Sequence, residues 1–118
     1  MSVDAEEVRS LLAEWDDATQ ERIRAAVRMT LDALSAIAPG RSVEVRIPPY
    51  AAVQVVAGTT HRRGTPPAVV EADARTWLAL CVGEADWQGA VASGRVRASG
   101  ERSDLGAYLP LPHLRPRD

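Results

Sequence analysis

The sequence predicts a small α+β domain, and the evidence is a change in the spacing of apolar residues. Up to residue 38 they recur every three or four positions, as in amphipathic helices. From residue 42 the period becomes two, which is typical of a strand buried on one face. Short helical and strand patterns then follow to residue 99. A chain of 118 residues is long enough for one domain of ordinary size.

Two helices are expected at the N-terminus. The first begins at Asp4, a good N-cap, and runs to Trp15 with its larger apolar residues at helical spacing. One of the aspartates at positions 16 and 17 is placed to cap the second helix. Its apolar residues keep the helical period for about four turns. A Pro-Gly pair at positions 39 and 40 ends it, because that pair does not continue a helix.

Strands are predicted from residue 42 onward. Residues 42–47 alternate apolar and polar side chains, and residues 51–57 resume the pattern after Pro48-Pro49-Tyr50. The two strands are expected to pair as a hairpin. A loop over 58–67 leads to a short strand at 68–71, and residues 95–99 form a further strand.

Two short helices lie between these last strands. Asp73 is placed to cap the first, which carries an apolar run and ends at Gly83. Asp86 is placed to cap the second, which ends at Ser93-Gly94. Residues 103–109 fit either a helix or a strand. We therefore predict a single domain over 1–111, with N-terminal helices over 1–38, sheet and helices over 41–111, and a loose proline-rich tail over 112–118.

Composition excludes several classes of protein. A net charge of −2 argues against a general nucleic-acid binder, which needs a basic face. None of the basic residues is lysine, so a lysine Schiff base and a lysine P-loop are excluded. The N-terminus is acidic and shows no signal peptide, and no stretch approaches the ~20 apolar residues of a transmembrane helix. A cytoplasmic location is the default expectation.

The sequence shows no pattern of a catalytic, cofactor or metal site. Its two histidines, His61 and His113, lie near no G-x-S-x-G motif, and no G-x-G-x-x-G motif follows a strand. The single cysteine, Cys81, lies in an apolar run and is interpreted as a buried, inert thiol. One cysteine and two scattered histidines do not make a structural zinc site. We expect no enzymatic activity, no cofactor and no bound metal.

Two features remain as candidate binding sites. The loop residues His61, Arg62 and Arg63 are three potential cations, and the two arginines could direct guanidinium groups at an anion, although most charged loops are simply solvated. Apolar bulk is also concentrated in the C-terminal half. These apolar side chains form either a core or, where the helices are separated from the sheet, the lining of a ligand cavity.

The order of motifs in the C-terminal half resembles the sterol carrier protein 2-like (SCP2-like) family. A strand leads into a capped helix, Asp73-Ala-Arg-Thr-Trp77-Leu-Ala-Leu80-Cys-Val-Gly83. The short helix Asp86-Trp87-Gln-Gly-Ala-Val-Ala-Ser93-Gly94 follows, then a basic strand and a Leu-rich segment. The whole chain looks like the short, single-domain bacterial branch of that family.

The resemblance implies a twisted, mostly antiparallel sheet of about five strands, with helices on one face and an apolar tunnel between them. The family binds sterols, fatty acyl chains and related lipids without covalent chemistry. The matching tunnel positions in this chain are Trp77, Leu80, Trp87, Val91, Val96, Leu105 and Leu109. His61, Arg62 and Arg63 are candidates for contact with an anionic headgroup at the mouth of the tunnel.

Two functions are therefore expected as alternatives. The first is non-catalytic binding of a lipid or other apolar molecule in a cavity between helices and sheet. The second is an accessory or interaction domain whose core is filled, and which docks a partner protein or a second copy of itself. Continuous apolar volume inside the domain favours the first, and a close-packed interior favours the second.

Overall fold

The computed structural model describes residues 4–58, 68–100 and 103–116, which form an α+β domain with one sheet. At the N-terminus, α1 spans Ala5–Ala13 and α2 spans Gln20–Ile37, as the helical periodicity predicts. The side chain of Asp4 caps α1 by accepting a hydrogen bond from the Glu7 N–H at 2.8 Å.

The cap of α2 is not one of the two aspartates that the sequence indicated. Trp15–Asp17 form a short 3-10 helix, closed by a hydrogen bond from the Ala18 N–H to the Trp15 carbonyl. The cap therefore moves to Thr19, whose backbone is extended and whose hydroxyl accepts from the Arg22 N–H at 3.2 Å. The two aspartates lie too early in the chain to reach the first turn of α2.

The sheet has four strands within the described residues, in the order β2-β1-β3-β4. They are β1 (Val43–Ile47), β2 (Ala51–Val55), β3 (Ala68–Ala72) and β4 (Val96–Ser99). β1 and β2 form the predicted antiparallel hairpin, β1 and β3 are parallel, and β3 and β4 are antiparallel.

Within the described residues the expected five or so strands are corrected to four, in a mixed sheet. Residues 103–109, which fit either a helix or a strand in the sequence, form neither. They contain a turn in which the Tyr108 N–H donates to the Leu105 carbonyl. Pro110 follows this turn, and its missing N–H prevents it from joining a hydrogen-bonded ladder.

The two faces of the sheet differ sharply in polarity. On β1, Val43, Val45 and Ile47 are fully buried, whereas Glu44 and Arg46 lie on the other face, where Arg46 donates to the Glu44 carboxylate. α2 packs on the apolar side, and α3 packs against α1 and α2. The core therefore lies between the helices and one face of the sheet, and the opposite face is polar.

The two short helices have the predicted caps. α3 spans Ala74–Val82 and α4 spans Trp87–Ala92, capped by Asp73 and Asp86 respectively. α3 ends at Gly83, whose φ of 82° is the left-handed conformation that favours glycine.

The chain after β4 is packed further than the sequence indicated. The Leu111 N–H donates to the Cys81 carbonyl at 3.0 Å, which ties this segment to α3. Pro112–Leu114 form a 3-10 helix, and Leu114 is fully buried although the sequence predicts a loose tail from residue 112. Burial of this leucine removes apolar surface from water, which holds the segment in place.

A close contact between backbones joins the end of α2 to the sheet. Val56 has a φ of 66°, which is rare for a β-branched residue. Its N–H donates to the Ala38 carbonyl at 2.6 Å, and its carbonyl accepts from the N–H and the hydroxyl of Ser42. Gly40 lies against it, so a Cβ atom at Gly40 would come within 2.2 Å of the Val56 carbonyl carbon. Only glycine fits there.

Candidate functional site

An open cleft lies between the connection from α3 to α4 and the C-terminal segment. Its volume is about 550 Å³. Two residues that the sequence proposed as ligand contacts, Trp87 and Leu109, line it. The other lining residues are Gly83, Glu84, Ala85, Asp86, Gln88, Asp104, Gly106, Ala107, Pro110 and Pro116.

The position of Trp87 follows from the local sequence. Asp86 caps α4 by accepting from the Gly89 N–H at 2.9 Å, which makes Trp87 the first residue of the helix. The Asp104 carboxylate accepts from the Gly106 N–H at 2.8 Å and fixes the turn that faces the indole ring. A Cβ atom at Gly106 would come within 3.2 Å of Trp87 Cδ1. The turn thus packs closely against the ring, and a side chain at Gly106 would require the ring or the Asp104 carboxylate to shift.

The charges that line this cleft are all negative among the described residues. Glu84, Asp86 and Asp104 contribute carboxylates, and no arginine or histidine of the described ranges is part of the lining. Trp87, Leu109 and two prolines supply the apolar part. A site of this kind favours a molecule with an apolar body and a polar end that is neutral or positively charged.

A second groove, of about 660 Å³, adjoins the cleft and shares Gly83, Glu84 and Pro116 with it. Its remaining lining comes from the start of α1, the end of α3 and the C-terminal segment, and both signs of charge are present. Arg9, one of its basic residues, donates from Nη2 to the Val82 carbonyl at 3.4 Å. The Arg9 guanidinium therefore has a structural role as well, because it joins α1 to the end of α3.

Four of the proposed ligand contacts lie in the core. Trp77, Leu80, Val96 and Leu105 retain 2% or less of their accessible surface. A side chain that faced a void large enough for water would keep more surface than this, so these four do not line such a void. The space around them between helices and sheet is filled by side chains.

The remaining candidates lie elsewhere. Val91 is on the outer side of α4 and 37% exposed, away from the core. His61, Arg62 and Arg63 lie outside the residues that the structure describes. The structure thus brings together two of the ten proposed residues, Trp87 and Leu109, in one open cleft.

Trp77 is part of a buried polar contact rather than an open surface. Its indole N–H donates to the Thr30 hydroxyl at 2.8 Å, and that hydroxyl donates to the Ala26 carbonyl at 2.8 Å. Cys81 is buried beside the same hydroxyl. Burial raises the pKa of the Cys81 thiol well above its ordinary value, and the hydrogen bond to Thr30 opposes only part of that shift. The expected burial of Cys81 is confirmed, and the raised pKa is in the direction that the interpretation as an inert thiol predicts.

Sequence reasoning did not identify the acidic and proline residues of the cleft as binding residues. The sequence marks Asp86 as a helix cap, which it is, and places Pro116 in the tail over 112–118. The density of proline and glycine over 104–116 was the available signal. It indicated an irregular segment, but not one that packs against the start of α4.

The fold and the cleft define a small α+β domain that offers an open, partly apolar site and a filled core. The chain belongs to the SCP2-like family: the family described as "Bacterial SCP ortholog" matches residues 19–111. This confirms the resemblance in the motifs around Trp77 and Trp87. No curated protein matches the sequence. Proteins of the SCP2-like family are generally non-catalytic carriers.

Two features are absent from the described part of the chain. None of its helices combines the length and the apolar character needed to cross a membrane. In those same ranges, no three histidine, cysteine or carboxylate side chains come together in a way that could hold a metal ion.

Proposed function

We propose that this protein binds an apolar or amphipathic molecule, such as a sterol, a fatty acyl chain or a similar lipid, without catalysing a reaction on it. The observation that carries the proposal is the open cleft at Trp87 and Leu109, in a chain that belongs to the SCP2-like family. Its volume of about 550 Å³ is within the usual range for small-molecule sites.

The cleft is a better candidate for the ligand than the space between helices and sheet. Trp77, Leu80 and Leu105 fill that interior, so a ligand could enter only by displacing them. Opening a close-packed core costs several kcal/mol for each large side chain moved. The cleft needs no such opening, and burial of apolar ligand surface there contributes roughly 25 cal/mol for each Å².

The charges that line the cleft affect which polar group of a ligand it can accept. Carboxylates at Glu84, Asp86 and Asp104 oppose an anionic group in the cleft itself. We therefore propose that a neutral sterol hydroxyl is accepted more readily than a fatty-acid carboxylate. An anionic headgroup held by His61, Arg62 and Arg63 remains a separate proposal, on residues outside the described ranges.

Tryptophan emission provides the direct test. The purified protein is titrated with a fluorescent sterol and, separately, with a fluorescent fatty acid, and energy transfer from tryptophan is recorded. Saturable transfer that Trp87→Phe reduces, and that Trp15→Phe leaves largely intact, supports a ligand at the cleft. Trp15 is a matched control because it lies in the 3-10 helix that follows α1 and is not part of the cleft lining.

The second candidate is an accessory or interaction domain that carries no lipid. The nearly complete burial of Trp77, Leu80, Val96 and Leu105 favours it, because the interior is already filled. Absence of any saturable change with either probe, together with no lipid in native mass spectra of the purified protein, would favour this function over lipid binding.

A further inference from the structure

We propose that Arg75 and Arg95 form a binding site for a phosphate group, in a groove that adjoins the cleft at Trp87. The phosphate belongs either to the headgroup of a lipid held in the cleft or to a free phosphate ester. The first source rests on the proposed function, whereas the second does not.

The groove has a volume of about 440 Å³ and lies between α1, the first turns of α3 and the chain that leads into β4. Glu84 and Ala85 line both this groove and the cleft, so the two sites share a boundary. A ligand that contacts Trp87 can therefore extend past this boundary towards the two arginines.

The groove lies at one end of the β3–β4 pair. Asp73 directly follows β3 and Arg95 directly precedes β4, and the register of the two strands sets these ends side by side. Both residues line the groove. Residues 59–67 and 101–102, which are outside the described ranges, adjoin the opposite ends of the same strands in the sequence. The groove is thus defined by the described residues alone.

The two guanidinium groups carry charges that no carboxylate neutralises. Both arginines are exposed, and neither forms an ion pair with a carboxylate among the described residues. Arg75 Cζ lies 6.0 Å from the centroid of the Trp15 ring, in a cation–π contact. Arg95 Nε donates to the Ser93 hydroxyl at 3.1 Å. These contacts orient the guanidinium groups and leave their charges available to an anion.

The carboxylates of the lining have other positions or partners. Both oxygens of Asp73 accept from Thr76, one from its N–H at 2.8 Å and the other from its hydroxyl at 3.1 Å. Glu84 is at the boundary with the cleft. A phosphate group has up to two negative charges and several acceptor oxygens, so two guanidinium groups can bind it together. A carboxylate has one charge and two oxygens, and gains less from the same pair.

Two lipid probes with the same fluorescent acyl chain test the lipid source. One is a monoacylglycerol phosphate, and the other is the neutral monoacylglycerol. Energy transfer from tryptophan is recorded for the wild-type chain, for Arg75→Gln with Arg95→Gln, and for Arg24→Gln with Arg28→Gln. The last variant is the matched control, because it removes the same charge from exposed positions on α2 that are not part of the groove lining. Thermal unfolding verifies that each variant retains the fold.

Glycerol phosphate and inorganic phosphate test the free source. Each is added to the same three proteins while chemical shifts are followed by NMR. The ionic strength is kept constant with chloride, so that general screening of charge does not change during the titration. Saturable shifts in the wild-type chain that the Arg75 and Arg95 substitutions remove support the site without any lipid.

We expect the variant at Arg75 and Arg95 to bind the lipid phosphate at least about fivefold more weakly than the wild type, because two charge-assisted contacts are lost. The neutral lipid should bind it almost unchanged, and the control variant should bind both lipids almost as the wild type does. Failure of both lipids to bind the wild type would contradict the proposed function, and the soluble phosphates would then decide on the phosphate site. The proposal is overturned if the variant at Arg75 and Arg95 loses no more affinity than the control for every phosphate probe.

Discussion

The indole N–H of Trp77 donates a hydrogen bond of 2.8 Å to the hydroxyl of Thr30, and this contact joins α3 to α2 inside the core. Thr30 and Trp77 are each 1% exposed, so water cannot replace either partner. The same hydroxyl donates to the Ala26 carbonyl at 2.8 Å. A buried polar contact of this kind fixes how the two helices pack.

Replacement of Thr30 by valine should therefore destabilise the fold, although the side chain keeps its shape. The indole N–H would be left buried without an acceptor, at a cost of about 1–3 kcal/mol. Urea unfolding of Thr30→Val and Thr30→Ser measures the difference. Serine keeps the hydroxyl, so it should lose less stability than valine, and the reverse order would contradict this role for the hydrogen bond.

Gly40→Ala should be among the most destabilising substitutions in the chain. The added Cβ would lie 2.2 Å from the Val56 carbonyl carbon, and both backbones are held by hydrogen bonds around Ser42 and Ala38. We expect a loss of at least about 3 kcal/mol, because backbone must move to relieve the overlap.

Gly94→Ala is the control for this substitution. Gly94 also has a positive φ, of 80°, but nothing lies within 4 Å of a Cβ atom there. Its cost should be only the conformational one, about 1 kcal/mol. Thermal unfolding of both variants separates steric overlap from backbone strain, and equal losses would show that the overlap is relieved without cost.

Elements whose signals are local were predicted well from the sequence. The helical period located α2, and Asp73, Asp86 and Gly83 marked the ends of the short helices, because capping involves residues only a few positions apart. The β1–β2 hairpin was predicted for the same reason, since its strands are separated by one turn.

Features that depend on distant parts of the chain were not predicted. The parallel pairing of β1 with β3 joins strands that lie on either side of β2 in the chain, and no pattern in either strand identifies its partner. Trp77 and Trp87 both resembled ligand contacts, but only Trp87 lines an open cleft. Trp77 faces the core, where α3 packs against α1 and α2, and its N–H donates to Thr30, which lies 47 residues earlier in the chain. Burial of Leu114 likewise depends on how the C-terminal segment packs.

The Cys81 thiol should make stability depend on pH in the alkaline range. Burial raises the pKa of this thiol in the folded state above that of the unfolded chain, which is about 8.5. The folded state therefore holds its proton to higher pH. Its contribution to stability is complete below the unfolded value and decreases as the pH rises above it, towards the folded value.

The measurement is urea unfolding at about pH 7 and pH 10, which lie on either side of the unfolded value. The wild-type chain should lose more stability between these two conditions than Cys81→Ala, which has no thiol to ionise. The native thiol should also react slowly with a disulfide reagent at pH 8. Rapid reaction without prior unfolding would contradict its burial.

Gly106→Ala should impair the proposed ligand site while leaving the fold largely intact. The new methyl group would lie 3.2 Å from Trp87 Cδ1 and 2.9 Å from the Asp104 carboxylate, so the ring and the turn must separate. The backbone of Gly106 has no positive φ, and the expected loss of stability is about 1 kcal/mol or less. Sterol-probe affinity should fall several-fold, with a shift in Trp87 emission.

Gly89→Ala is the control, because its Cβ makes only ordinary contact with Asp86. If both variants bind the probe as the wild type does, the ligand does not contact the part of the cleft that Trp87 and the 104–106 turn line.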